Sequence, residues 1–437
     1  MLTAFLRAFR TPDLRRKLLF TICMIAVFRL GAALPTPGIS ESAVHACIGL
    51  ASAQGGGVFA LVNLFSGGAL LKLSVFALGI MPYITASIIL QLLAVVIPRL
   101  ETLRKEGQAG QAKITQYTRY LTVGLAILQS TGIVALARSG NLFGSGVCNQ
   151  PLIPNDSIFT ITTMVITMTA GTAVIMWLGE LITDRGVGNG ISILIFTQII
   201  AVIPGEMLNI YRSKHAFVFG MVLAVGVAIV AFVVFMEQAQ RRIPVQYAKR
   251  MVGRKMYGGT STYIPLKVNQ AGVIPVIFAS SLLYIPQLAS TILGNPAHPQ
   301  GWYLWINRYM VRGDSAVYML SFFVLIIFFT YFYVSITFNP TEVADNMKKY
   351  GGFIPGIRPG RPTAEYLNYV LTRLTAPGSV YLGVIALIPM IALALVGATQ
   401  NFPFGGTSLL IVVGVGLDTV KQIESQLQQR NYEGFLR

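Results

Sequence analysis

The chain has 437 residues, 54% of them hydrophobic and 11% charged, with a formal net charge of +17. A soluble domain carries about a quarter charged residues, so a water-soluble enzyme or binding module is excluded and most of the surface must face lipid. So large a positive charge would suit nucleic acid, but its placement along the chain points elsewhere.

A bilayer core takes about 20 apolar residues per helix. Ten spans are predicted, near 18–35, 74–97, 118–138, 157–178, 187–204, 215–236, 270–292, 316–337, 376–398 and 406–424. With the N-terminus inside, the inner segments hold 26 of the 33 Lys and Arg and the outer segments six, with Arg29 within the first span. This is the positive-inside pattern, and an even number of spans places both termini in the cytoplasm.

After the first span, residues 36–73 form a long outer segment that is Gly-rich at Gly55-Gly56-Gly57 and Gly67-Gly68. Its apolar part, Val58–Leu73, is too short and interrupted to cross. A half-helix tucked back into the protein and a helix lying on the outer surface fit equally well, the first because irregular backbone at membrane depth needs a protein-lined or watery cavity. Cys47 and Cys148 both fall on this side. A Cys47–Cys148 disulfide is conceivable there, but their spacing does not support it, so two isolated thiols are expected.

The second span carries Gly79-Ile80-Met81-Pro82-Tyr83-Ile84-Thr85-Ala86-Ser87, and the seventh carries Gly272-Val273-Ile274-Pro275-Val276-Ile277-Phe278-Ala279-Ser280. Gly, Pro, Ile, Ala and Ser repeat in register 193 positions apart. Paired Gly/Pro-interrupted segments at matching places in two halves point to a pathway between the halves. The chain therefore divides into residues 1–205 and 206–437, five spans each.

Gly186-Val187-Gly188-Asn189-Gly190 resembles a phosphate loop only superficially, because it follows a span and not a strand; a turn into a helix is the stronger reading. Two inner loops stand out. Residues 237–268 carry Arg241, Arg242, Lys249, Arg250, Arg254, Lys255 and Lys267, and residues 338–375 carry a Gly/Pro-rich turn at 353–360. Trp302 and Trp305 in an outer loop suit an interfacial aromatic belt.

No Walker A pattern occurs, so ATP hydrolysis is not expected of this chain. His45, His215 and His298 are scattered and no HExxH or CxxC occurs, so neither a metal nor any other cofactor is expected. Ion-coupled transport usually needs ionisable groups near mid-membrane; Arg29 can snorkel outward, and no buried carboxylate is predicted. The inward-facing surface must then be aliphatic. Ile80 and Ile84 share one helix face, as do Ile191 and Ile195, and Ile277 is the repeat partner of Ile84. Such a ring can exclude water and ions by dewetting while staying deformable, although ordinary packing or lipid contact explains any one isoleucine. A channel, a secondary transporter for a small solute and an intramembrane enzyme thus compete. The scarcity of buried charge disfavours the second, and the absence of a clustered acid, histidine or nucleophile disfavours the third.

The long strings at Asn63–Leu70, Gly79–Gln91, Lys113–Tyr120, Gly188–Ser192, Pro265–Asn269, Gly272–Ser280, Phe338–Pro340 and Gly356–Gly360 closely resemble the SecY family. The resemblance covers essentially the whole chain. It implies an all-α polytopic membrane protein of ten transmembrane helices in two pseudo-symmetric halves around a pore, acting as the central subunit of a protein-conducting channel in the bacterial cytoplasmic membrane. The pore ring would be Ile80, Ile84, Ile191, Ile195, Ile277 and Ile411, the last supplied by the resemblance alone. Asn63, Leu64, Phe65, Ser66, Gly67, Gly68, Ala69, Leu70, Leu71 and Lys72 would form the plug, which decides between the two readings of that segment. The second, third, seventh and eighth spans would frame a lateral gate, with Ser87, Gln91, Gln129, Ser280 and Ser281 as polar candidates that equally suit simple interhelical hydrogen bonds. The implied partners are SecE and SecG subunits, the SecA motor, the ribosome with its RNA, signal peptides and nascent chains, and membrane lipids. The basic loop 241–255 and Arg358 would dock motor and ribosome, the basic residues through phosphate contacts.

Overall fold

The computed structural model describes residues 11–44, 46–47, 68–70, 72–138, 151–213, 216–247, 250–252, 255–257, 261–293, 301–311, 315–396 and 406–433. Each predicted span falls on a long helix: α1 (Pro12–Ala33), α2 (Met81–Val96), α4 (Gln108–Arg138), α5 (Ile158–Arg185), α6 (Gly190–Ser213), α7 (Ala216–Gln238), α8 (Ile274–Leu293), α10 (Ala316–Thr337), α12 (Arg361–Val396) and α13 (Gly406–Glu433). Short helices α3 (Pro98–Lys105), α9 (Gly301–Ile306) and α11 (Pro340–Lys349) connect them. Taken singly, α4, α5, α7, α10 and α12 are long and apolar enough to cross a membrane.

Local chemistry sets the helix ends. Ile97 is extended because the ring of Pro98 disfavours a helical residue before it, and α3 leaves α2 at 104°. Ser157 caps α5 by accepting from the Phe159 N–H. Asn189 caps α6, its Oδ1 accepting from the N–H groups of Ile191 at 3.1 Å and Ser192 at 3.4 Å. Residues 188–190 are thus the turn into a helix that the sequence suggested.

The segment between the outer part of the chain and α2 is firmly anchored. Thr36 donates both its N–H and its hydroxyl to the Leu73 carbonyl, at 3.1 Å and 2.6 Å. Leu73 is fully buried with φ +46, a conformation unusual for so bulky a residue. Beyond it the chain is wedged between two helices: a Cβ at Gly31 of α1 would meet the Phe76 ring at 2.1 Å, and one at Gly171 of α5 the Val75 carbonyl at the same distance.

The basic segment 237–268, predicted as a loop, instead builds strands. β1 (Gln240–Tyr247), β4 (Ser261–Lys267) and β5 (Gly352–Phe353) form a sheet of order β4-β1-β5, and β2 (Arg250–Val252) pairs with β3 (Lys255–Tyr257) as a separate hairpin. β1 is antiparallel to both neighbours, with Ile243 opposite Ile264 and Gln246 opposite Phe353. Ile243, Val245, Leu266, Met347, Ile354, Leu367 and Val370 make a small core beneath the sheet. The two predicted inner loops are therefore one folded body, resting on the first turns of α12.

Cys47 is disulfide-bonded, which corrects the expectation of an isolated thiol there; Cys148 lies outside the described residues. Cys23 is free and exposed on α1.

Candidate functional site

The repeated motif is a repeat of structure as well as of sequence. Gly79 has φ +57 and Gly272 φ +61. Each lies two residues before the start of its helix, and Pro82 and Pro275 each occupy the second helical position, where a missing N–H costs nothing. This start aims Ile80 and Ile84 on one side, and Ile277 on the other, toward the same interior.

All six predicted ring isoleucines meet in one apolar cluster. Ile80, Ile195, Ile277 and Ile411 are buried in it, and Ile84 and Ile191 pack against it. They come from α2, α6, α8 and α13, two helices from each half of the chain. No side chain of the six offers a hydrogen bond, so the cluster presents a solute with no specific polar contact. Ala69 belongs to the same cluster, whereas Leu70 packs with Val44, Cys47 and Leu73 in the neighbouring one. Gly68 has φ +86 and Lys72 is exposed. Asn63, Leu64, Phe65, Ser66, Gly67 and Leu71 lie outside the described residues.

Among the described residues, no hydrogen bond from the polar candidates on α2, α4 and α8 crosses to another helix. Gln91 donates to Ser87 one turn away on α2, at 3.4 Å, and Ser280 donates to the Ile277 carbonyl of its own helix at 2.9 Å. The Ser281 hydroxyl is buried without a hydrogen-bond partner, and Gln129 is half-buried on α4. Hydrogen bonds that stay within a helix leave its contact with the next one free to part.

Arg241 and Arg242 are exposed on β1, and the Arg242 guanidinium lies 4.8 Å over the Tyr263 ring of β4. Arg250 and Lys255 stand at the two ends of the β2–β3 hairpin ladder, opposite Tyr257 and Val252. Lys249 and Arg254 lie outside the described residues. Arg358 is exposed in the turn between β5 and α12, and its carbonyl accepts from the Thr363 hydroxyl at 2.9 Å.

Sequence reasoning missed two features. Glu237, at the end of α7, is a buried carboxylate, 8% exposed and hydrogen-bonded by Asn269; this corrects the expectation that none exists. Gln198 on α6 is fully buried with neither amide atom partnered. Nothing in the sequence distinguished Glu237 from an interfacial charge at a span end.

A family model described as SecY matches residues 74–420. The chain is 67% identical over its whole length to the protein translocase subunit SecY of Streptomyces galbus, all of which is covered. It is 62% identical to that of Mycobacterium tuberculosis strain H37Rv, again over the whole of both chains. Among solved structures, it superposes with a TM-score of 0.64 on one described as a protein conducting channel, at 18% identity, covering 94% of this chain and 92% of that one. A second, on the plug domain of SecY, gives 0.62 at 19% identity with the same coverage. Ten long helices among the described residues, an internal repeat that feeds one apolar cluster, and a family match across most of the chain agree: this chain belongs to the SecY family.

Proposed function

We propose that this chain is the central subunit of a channel that passes unfolded secretory polypeptides across the bacterial cytoplasmic membrane and releases transmembrane segments sideways into lipid. The observation that carries this reading is the convergence of Ile80, Ile84, Ile191, Ile195, Ile277 and Ile411 from four helices. A translocating chain presents every side-chain chemistry, so its constriction cannot rely on specific hydrogen bonds. An aliphatic gasket fits any extended segment and limits ion leak. Ala69 in the same cluster supports segment 63–72 as the plug. The opening between α2 and α8 is the lateral gate, where the lack of cross-helix bonds at Ser87, Gln91 and Ser280 favours parting.

The sheet and the Arg358 turn form the cytoplasmic docking face for the SecA motor and the ribosome. Structures similar to this chain at 18% and 16% identity are described as Sec61 in a canine ribosome–channel complex and as a yeast Ssh1 complex bound to the ribosome. SecE and SecG complete the assembly, both termini lie in the cytoplasm, and the driving force comes from partners. A solute transporter finds no support in the relatives, which are named as translocase subunits.

Single-channel conductance in planar bilayers tests the reading. The intact channel with its partner subunits is expected to be silent, and a deletion of residues 63–72 to conduct. Silence of both, even with signal peptide added, would overturn it.

A further inference from the structure

Glu237 is the only charged residue buried among the described residues, at 8% exposure. It is the penultimate residue of α7, and the chain passes through Ala239 directly into β1. Its partner Asn269, 3% exposed, lies in the six-residue link between β4 and α8. The Asn269 Nδ2 donates to Glu237 Oε1. A buried ionisable group is costly unless it is paired or hydrogen-bonded, which makes the Asn269 bond its main support.

The surroundings make this point the root of the docking sheet. The Val268 N–H donates to the Ala239 carbonyl at 3.0 Å, closing the ladder between the two chain segments. α12 presses against it, since a Cβ at Gly378 would meet the Val268 carbonyl at 2.4 Å. Lys267 reaches Asp418 of α13 at 3.6 Å. The charged and titratable groups facing Glu237 are Lys267 from β4, Asp418 and Lys421 from α13, and Tyr381 from α12. Two further polar atoms, Asn269 Oδ1 and Tyr381 Oη, are buried there without partners. Beside the backbone bond from Val268 to Ala239, one side-chain hydrogen bond therefore fastens the end of α7 to the α8 link, in a cluster where Asn269 Oδ1 and Tyr381 Oη have no partner.

We propose that the Glu237–Asn269 bond is the joint that holds the gate helix α8 closed and through which load on the basic sheet reaches it. Glu237 and Asn269 are positioning residues, and the inference rests on the reading of α8 as a gate helix and the sheet as a docking face. β1 continues α7 and β4 leads into α8, so a partner that twists the sheet against the membrane helices loads the bond at its root. While the bond stands, α8 stays clamped to α7. When it parts, α8 tilts away from α2.

The test is single-channel recording of the intact assembly carrying Glu237→Ala, Asn269→Ala, Glu237→Gln or the double change Glu237→Ala/Asn269→Leu, with motor affinity measured alongside. The two alanine variants are expected to raise resting open probability about tenfold, as loss of one buried hydrogen bond implies, without changing motor affinity. Glu237→Gln keeps an acceptor for Asn269 and is expected to gate as the parent does. The double change is expected to match the single ones, because both partners of one bond are gone. It leaves no buried group stranded, so it remains readable if a single variant fails to accumulate. Parental gating in the alanine variants and the double change, in bilayers where the 63–72 deletion conducts, would overturn the joint and leave the channel reading standing. A double effect equal to the sum of the singles would also overturn it. Silence of the deletion itself would overturn the channel reading first.

Discussion

Gly79 and Gly272 stand 193 residues apart and adopt nearly the same left-handed backbone, φ +57 and +61. A Cβ in that region costs about 1–2 kcal/mol. Gly79→Ala and Gly272→Ala are each expected to lower the melting temperature of the purified protein. Gly416→Ala on α13, where an added Cβ meets nothing within 4 Å, is expected to raise it, since alanine is the better helix former by up to about 1 kcal/mol. Thermal melts in one detergent compare the three.

Gly378→Ala acts by collision and not by backbone strain. Its Cβ would lie 2.4 Å from the Val268 carbonyl, so α12 or the link to α8 must shift. Cysteine pairs placed across α2 and α8 are expected to crosslink less in this variant than in the parent.

Polar substitution of the ring should leak before it unfolds. Ile411→Ser and Ile80→Ser place a hydroxyl in a cluster without hydrogen-bonding groups among its isoleucines. Resting ion conductance is expected to rise, while Ile→Leu at either position, which conserves volume, costs less than about 1.5 kcal/mol and keeps the seal. Bilayer recordings of the four variants decide this.

Arg119 on α4 grips Glu180 on α5 through two bonds, at 2.8 Å and 2.7 Å. The guanidinium is about half exposed, so the pair is worth on the order of 1 kcal/mol at most. A double-mutant cycle with Arg119→Gln and Glu180→Gln is expected to give a coupling near that size, falling with added salt.

Phosphate contacts give the docking face a measurable signature. Arg241→Ala with Arg242→Ala is expected to weaken ribosome binding and to flatten the plot of log affinity against log salt by about 1 to 2. A slope equal to the parent's would show that these side chains touch no phosphate.

The ten helices were legible because lipid imposes a simple rule, a long apolar run, and α10 begins and ends where the run does, at Ala316 and Thr337. The repeat was legible because glycine and proline have few substitutes where they stand. The ring isoleucines on α2 and α6 followed from helical spacing; Ile411 did not, since no partner on α13 marks its face. The sheet escaped notice because its alternation is brief: Ile243 and Val245 point inward between arginines and a proline, a pattern any basic loop could show. Its third strand is two residues long and arrives from a hundred residues away. Glu237 escaped because burial by Asn269 depends on a contact 32 residues distant, which periodicity does not record.

The bond at Cys47 has a use as a compass. Disulfides persist where thiols are not kept reduced, so the face that carries this cystine is expected to meet the oxidising compartment. That assignment owes nothing to the tally of lysines and arginines. It makes a membrane-impermeant reductant, applied to sealed vesicles of known sidedness, an independent reporter of which way the protein is threaded.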